Sequence, residues 1–519
     1  MHGSARNLLV GLCLFLTGTA LFGRDPGPVF YPAGVFPAPG SIGELKVLQD
    51  GLGHVYVLYA EDGRFRALKA DGLGALEPYY VEGLGREING VRQLELSVFG
   101  MAQYASFVGS LNGSEGVFVL GLDDQGALRY CPAPEIQALG VVSKYFITAS
   151  PSKGAAVFVL SGGRLSCAAG IGGAGGVPVY TMISGGSERI GGPSGFDVMA
   201  DFRYPLGRGW FTVDRGEKQE AVIFSLDNDF LVRRKSIGSY TGDLKLRNSM
   251  NIEGDSIITV INEKHVEVYE SKGSDFLRRR SFNAPGTGTV SGFAAPLGSF
   301  GILAVKAGDT EAVYGVKNAG TNAPLFEMWF NASGEKDTAL FYESADRLLL
   351  AGKRDDGWYV MSLDSRGAVT GEEHLGGTGP GGKLFAGGAR DRFRLYFFGS
   401  GSGPDSDSDC PVVTIYENYE NYEKQGAAWR VIGEAELPPE IAAGDADWDG
   451  RAEDHPLFLE DRLIPLNSRG GTLVFETGPG SIRLLKNDAV HASRNINGTV
   501  YCAVHDGGEI ALFRIKGAD

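Results

Sequence analysis

The feature that most constrains this chain is a short pattern that recurs along it, clearest in residues 348–369, LLLAGKRDDGWYVMSLDSRGAV. An apolar run at 348–350 meets a polar turn that ends at Gly357. A second apolar run follows at 358–363, then Asp364-Ser365-Arg366-Gly367, then a third short run. Asp and Gly tolerate the backbone angles of tight reversals, and aromatic and β-branched residues suit a pleated, half-buried surface. The pattern therefore reads as strand, turn, strand, turn, strand. One such piece cannot bury its apolar side alone, so its copies must pack on one another.

Similar pieces lie at 54–68 (HVYVLYAEDGRFRAL), 106–130, 145–165, 210–232, 257–277, 302–316, 392–416 and 500–515, with a looser one at 457–475. From the fourth copy on, they are spaced by roughly 45–50 residues, the period of a four-stranded propeller blade. Long helical periodicity is nearly absent. Glycine makes up 78 of 519 residues and punctuates apolar runs without clustering, which means many turns. The expectation is an all-β chain: a β-propeller of about eight blades, within a range of seven to ten. A string of β-sandwich domains is the alternative. The unit resembles the blades of many secreted propellers, YWTD-like and quinoprotein-like ones included, and the resemblance is at the level of fold. No regular WD dipeptide, YWTD or kelch double glycine is present.

The N-terminus has targeting character. Arg6 precedes an apolar run at 8–22, a length suited to a signal-peptide core and short for a membrane span. Small residues at Gly18 and Ala20 allow cleavage after Ala20, which gives a signal peptide at 1–20; an uncleaved anchor or a lipid-bearing Cys13 are the alternatives. Residues 21–43, with Pro26, Pro28, Pro32, Pro37 and Pro39, read as a linker or extended arm, and 44–519 as the propeller. No later run is long and apolar enough to span a bilayer. The mature chain is expected outside the cytoplasm, periplasmic or secreted, as a monomer.

A net charge of -15 argues against nucleic acid as partner, because nucleic-acid binding needs a basic stripe that displaces counterions. Two local basic runs stand against that background, Arg233-Arg234-Lys235 and Arg278-Arg279-Arg280. They read either as solvated strand ends or as a patch for an anionic partner. Beyond Cys13, Cys131, Cys167, Cys410 and Cys502 permit up to two disulfides in three pairings, or buried free thiols.

The strongest local chemical signal is residues 445–454, DADWDGRAED. Carboxylates at alternate positions, a Gly for the sharp turn and a closing acid can wrap a hard cation. The stretch resembles the calcium loop of FG-GAP repeats in integrin-type propellers. That resemblance implies Asp445, Asp447, Asp449, Arg451 through its carbonyl, and Glu453 as ligands of a structural calcium ion. Glu453 stands where that family prefers Asp, and one copy is present where such repeats usually recur. The triplet Asp405, Asp407 and Asp409 lacks the Gly and the closing acid.

Residues 377–383, GTGPGGK, nearly spell a phosphate-binding loop, but Leu384 occupies the magnesium-binding Ser/Thr position and no helical pattern follows. No histidine pair has metal-ligand spacing and no GxSxG elbow occurs. No catalytic residue is assigned. The functional expectation is an exported, non-catalytic scaffold for a protein or glycan partner. The alternative is an extracytoplasmic propeller enzyme, a glycan-cleaving hydrolase or quinoprotein, and the five tryptophans are few for the latter.

Overall fold

A computed structural model describes the strands and most of the turns between residues 29 and 516. Residues 1–28, 401–410, 421–426, 437–456, 465–471 and 517–519, with shorter connecting stretches, lie outside the described residues, and so does the expected signal segment 1–20. The chain is an all-β propeller. Seven of its sheets have four strands each, and one has eight. The eight-stranded sheet is two blades that touch through a single pair, Arg64 opposite Asn89, so nine four-stranded blades are present among the described residues. That number falls inside the expected seven to ten.

Eight of the blades follow each other along the chain: blade 1 (42–78), blade 2 (89–130), blade 3 (142–183), blade 4 (196–240), blade 5 (244–283), blade 6 (289–331), blade 7 (338–375) and blade 8 (382–436). Two hairpins follow at 457–464 and 472–486. The ninth, closing blade takes three strands from 489–516 and its outermost strand from Val29–Pro37. Its inner strand, Ala489–Arg494, packs beside Ile42–Gln49, the inner strand of blade 1. The two ends of the chain are thus locked into one sheet.

The segment read as a linker or arm over 21–43 therefore contains a blade strand, and the propeller begins at Val29. Pro32 and Pro37 fit there because an outermost strand needs hydrogen bonds along one side only, and a bulge between Pro32 and Gly34 absorbs the mismatch. Gly34 has φ +151, and a Cβ there would stand 2.8 Å from Leu76 Cγ. Ala38 N–H then donates to Gly508 O at 2.7 Å, and the buried His505 ring meets Ala38 O at 3.0 Å.

The turn chemistry works as the sequence implies. Asp364 Oδ1 accepts the N–H groups of Arg366 and Ala368 at 2.8 Å each, while Gly367 takes φ +79. Asp123 repeats the arrangement with Gln125, Ala127 and Gly126. Along each strand, alternate side chains point to opposite neighbours. In Val55–Glu61, Val55, Val57 and Tyr59 pack toward the closing blade, and Tyr56, Leu58 and Ala60 pack toward blade 2. Separate apolar clusters fill the seams of blades 2 and 3, 3 and 4, 4 and 5, 5 and 6, 6 and 7, and 7 and 8. The cores lie between blades, which is why a single copy of the repeat could not stand alone.

Candidate binding surface on the outer rim

The structure brings the two basic runs together. Arg233, Arg234 and Lys235 sit on Val232–Tyr240, the outermost strand of blade 4. Arg278, Arg279 and Arg280 sit on Asp275–Asn283, the outermost strand of blade 5. The first run opens its strand directly after Val232, and the second lies in the middle of its strand. Strand alternation sends Arg234 toward blade 3, where a guanidinium N–H donates to Met182 O at 2.6 Å. Lys235 turns the other way, and its Nζ donates to Phe276 O of blade 5 at 3.1 Å. Arg233 shares the face of Lys235, is exposed and has no ion pair among the described residues.

The blade 5 run is organised by Glu267, which is only 7% exposed. Its Oε2 accepts the hydroxyls of Tyr240, from blade 4, at 2.8 Å and of Tyr269 at 3.1 Å. Its Oε1 accepts Arg278 at 2.9 Å. Burial pushes the Glu267 carboxyl up, but the bonds from Tyr240, Arg278 and Tyr269 outweigh it and hold the group below the usual range. The Tyr269 hydroxyl is pushed up to about 12 by burial and by the neighbouring Glu267 charge. Arg279 pairs with Glu270 at 2.5 Å. Arg280 lies opposite Val268 and turns toward the seam with blade 6. Burial lowers it to about 10 against the opposing pull of Glu270, and one guanidinium nitrogen is buried with no hydrogen-bond partner.

A second polar constellation lies on the face that carries the turns within the blades. Asp50, in the first turn of blade 1, accepts His54 N–H at 2.9 Å and holds the His54 ring at 2.6 Å. Gly126 of blade 2 packs on this pair so closely that a Cβ would stand 2.1 Å from His54 Nδ1. Tyr56 O–H donates to Gly126 O at 2.8 Å, and Arg129 bridges Asp123 at 2.7 Å and Glu82 at 3.1 Å. Each of these groups ties blade 1 to blade 2 or caps a turn. Inner strands carry a comparable belt. Glu44 accepts Gln93 and Leu94 N–H, Tyr145 O–H donates to Gln93 O, Lys144 donates to Phe196 O, and Asn248 donates to Asp197.

The calcium ligands implied by the sequence, Asp445, Asp447, Asp449, Arg451 and Glu453, lie outside the described residues, as do Asp405, Asp407 and Asp409. Among the described residues no group of three or more His, Cys, Asp or Glu is placed to hold a metal. The near-match to a phosphate loop leads into a strand, Gly382–Ala389, where such a loop needs a helix. Cys131, Cys167 and Cys502 are free thiols, which leaves no two-disulfide pairing; Cys410 is outside the described residues. Among the described residues no helix is long and apolar enough to cross a membrane. Glu267 escaped the sequence reading because HVEVYESK alternates like any half-exposed strand. The nearest signal was Tyr at 240 and 269 flanking it.

No family model matches the chain, and no curated protein matches it. Solved structures do. A eukaryotic initiation factor aligns with a TM-score of 0.41 at 10% identity, covering 79% of this chain and 88% of that one. The Dos1 propeller aligns at 0.34 and 10%, covering 93% and 94%. Dihydro-heme d1 dehydrogenase NirN, in complex with DHE, aligns at 0.34 and 14%, covering 68% and 75%.

Proposed function

We propose that this propeller is an exported, non-catalytic scaffold that binds a protein or glycan partner. The observation that carries the reading is the rim of blades 4 and 5, where two basic runs distant in sequence share one surface of a chain whose net charge is -15. Seams tied at the inner strands and at the rim make the ring a rigid platform, and rigidity lowers the ordering cost of binding. Export rests on the apolar run at 8–22. The test of export is fractionation of the native host with N-terminal sequencing of the mature chain. A chain found in the cytoplasm with Met1 retained would overturn it. The test of binding is a panel of envelope glycans and envelope proteins presented to the immobilised full chain. Saturable binding of a member supports the scaffold, whereas turnover of a glycan would assign the chain to the enzymatic alternative.

Calcium belongs to the same reading as a structural ion at Asp445, Asp447, Asp449, the Arg451 carbonyl and Glu453. Its support is the alternate-carboxylate pattern with a turn glycine. Calorimetric titration of the chelator-stripped chain should show one site that is lost in Asp447→Ala/Asp449→Ala. No heat of binding together with an unchanged melting midpoint would reject the ion.

A further inference from the structure

We infer that the outer edges of blades 4 and 5 form a docking track for a linear polysaccharide bearing carboxylate or sulfate groups. The inference rests on the scaffold reading and names its ligand class. Three observations select this occupant. First, the cations are displayed on neighbouring outer strands, with Arg233, Arg234, Lys235, Arg278 and Arg279 all exposed. A ligand that repeats its charge along a chain can meet both strands at once. Guanidinium forks pair well with planar carboxylate and with sulfate oxygens.

Second, both strands are bulged, between the partners of Ala221 and Val222 in blade 4 and of Val268 and Tyr269 in blade 5. A bulge interrupts the row of backbone donors and acceptors that an added peptide strand would need. Recognition here therefore runs through side chains, not through strand addition by an acidic peptide. Third, the internal acids are already committed in part. Glu267 is sealed in the seam by Tyr240, Tyr269 and Arg278, and Glu270 takes Arg279. Arg233 has no ion pair among the described residues.

The test uses the full chain, titrated at low salt with heparin oligosaccharide (sulfated), polygalacturonate (carboxylated), neutral dextran, poly-glutamate and anionic phospholipid vesicles. The expected result is binding of one or both anionic polysaccharides and none of dextran. Arg233→Glu/Arg279→Glu should weaken that binding about tenfold or more while the chain still melts cooperatively, the lost Arg279–Glu270 pair being an exposed one, and 0.5 M salt should abolish it, as expected for exposed charges. The charge-neutral Arg233→Gln/Arg279→Gln serves if the reversal disturbs folding, and should show a smaller loss in the same direction. The inference is overturned if neither polysaccharide binds, if binding ignores both variants, or if only poly-glutamate or vesicles depend on these arginines. A glycan or protein partner from the envelope panel that binds both variants as well as the parent chain would remove this track while leaving the scaffold reading in place.

Discussion

Removing the Glu267 carboxylate should open the seam between blades 4 and 5. Glu267 is 7% exposed, and its side chain accepts three hydrogen bonds, from Tyr240 at 2.8 Å, Tyr269 at 3.1 Å and Arg278 at 2.9 Å. Tyr240 belongs to blade 4 and the other three residues to blade 5, so the cluster ties one blade to the next. Glu267→Ala leaves two tyrosine hydroxyls without their acceptor in a closed space. Breaking a buried charged cluster by deleting one member costs about 3–5 kcal/mol, and the partial exposure here points to about 3 kcal/mol. Glu267→Gln keeps an acceptor for the hydroxyls and should lose roughly half of that. Trp210 is buried in the same seam, so it contributes to the tryptophan fluorescence change that follows urea unfolding. The pH dependence has a fixed sign. Glu267 is held below its ordinary value, so its contribution is present above the unfolded carboxyl pKa and fades as pH falls through the depressed folded value. Parent and Glu267→Gln curves should therefore differ at pH 7 and converge in acid. A Glu267→Ala midpoint equal to that of the parent at pH 7 would refute the reasoning.

Other expectations follow from particular contacts. Gly34→Val should destabilise the closing blade by about 1–3 kcal/mol, because φ +151 strains a β-branched residue and its Cβ meets Leu76 Cγ at 2.8 Å; thermal melting and proteolysis of the termini read this. Asp197 is raised by burial against the opposing pull of Lys144, so Asp197→Asn should keep or raise the urea midpoint at pH 7. That advantage should shrink as pH falls through the raised carboxyl value, since the parent then loses its buried charge. In the Cys13→Ser/Cys410→Ser chain, Cys131, Cys167 and Cys502 should stay silent to a thiol reagent at pH 8 until denaturant is added. Burial pushes Cys131 up to about 11 and Cys502 up to about 12, so thiolate is scarce in the fold.

Much of the blade was legible because its turns carry their own chemistry. Asp364-Ser365-Arg366-Gly367 announces a reversal, and the aspartate does cap it. The unbroken apolar run in Val55–Glu61 announces a strand with two buried faces, and both faces are filled by neighbouring blades. The closing strand was hidden by Pro32 and Pro37, which suggest a linker until the strand is known to be outermost. Glu267 was hidden for a different reason. Its strand partners are local, but Tyr240 comes from another blade, and a seam between blades has no signature within one repeat. The rim fared likewise. Each basic run could be read singly as solvated charge, and only the ring places the two on adjacent strands.

The seams also show why apolar packing alone would leave such a ring poorly specified. Hydrophobic contact is non-directional, so two blades sharing a greasy seam could slide or tilt with little loss. Here the apolar clusters are flanked at both radii by directional bonds that cross from blade to blade. At the inner strands Glu44 holds Gln93 and Leu94, and Asn248 holds Asp197. At the rim Arg234 holds Met182 O and Lys235 holds Phe276 O. A long cation reaching a backbone carbonyl fixes both the distance and the rotation of the neighbouring sheet, at the cost of one charge kept near the surface. Arg234 and Lys235 thus give one donor each to geometry while their side chains stay exposed at the rim, and Arg233, which makes no such bond, is the cation most open to a ligand.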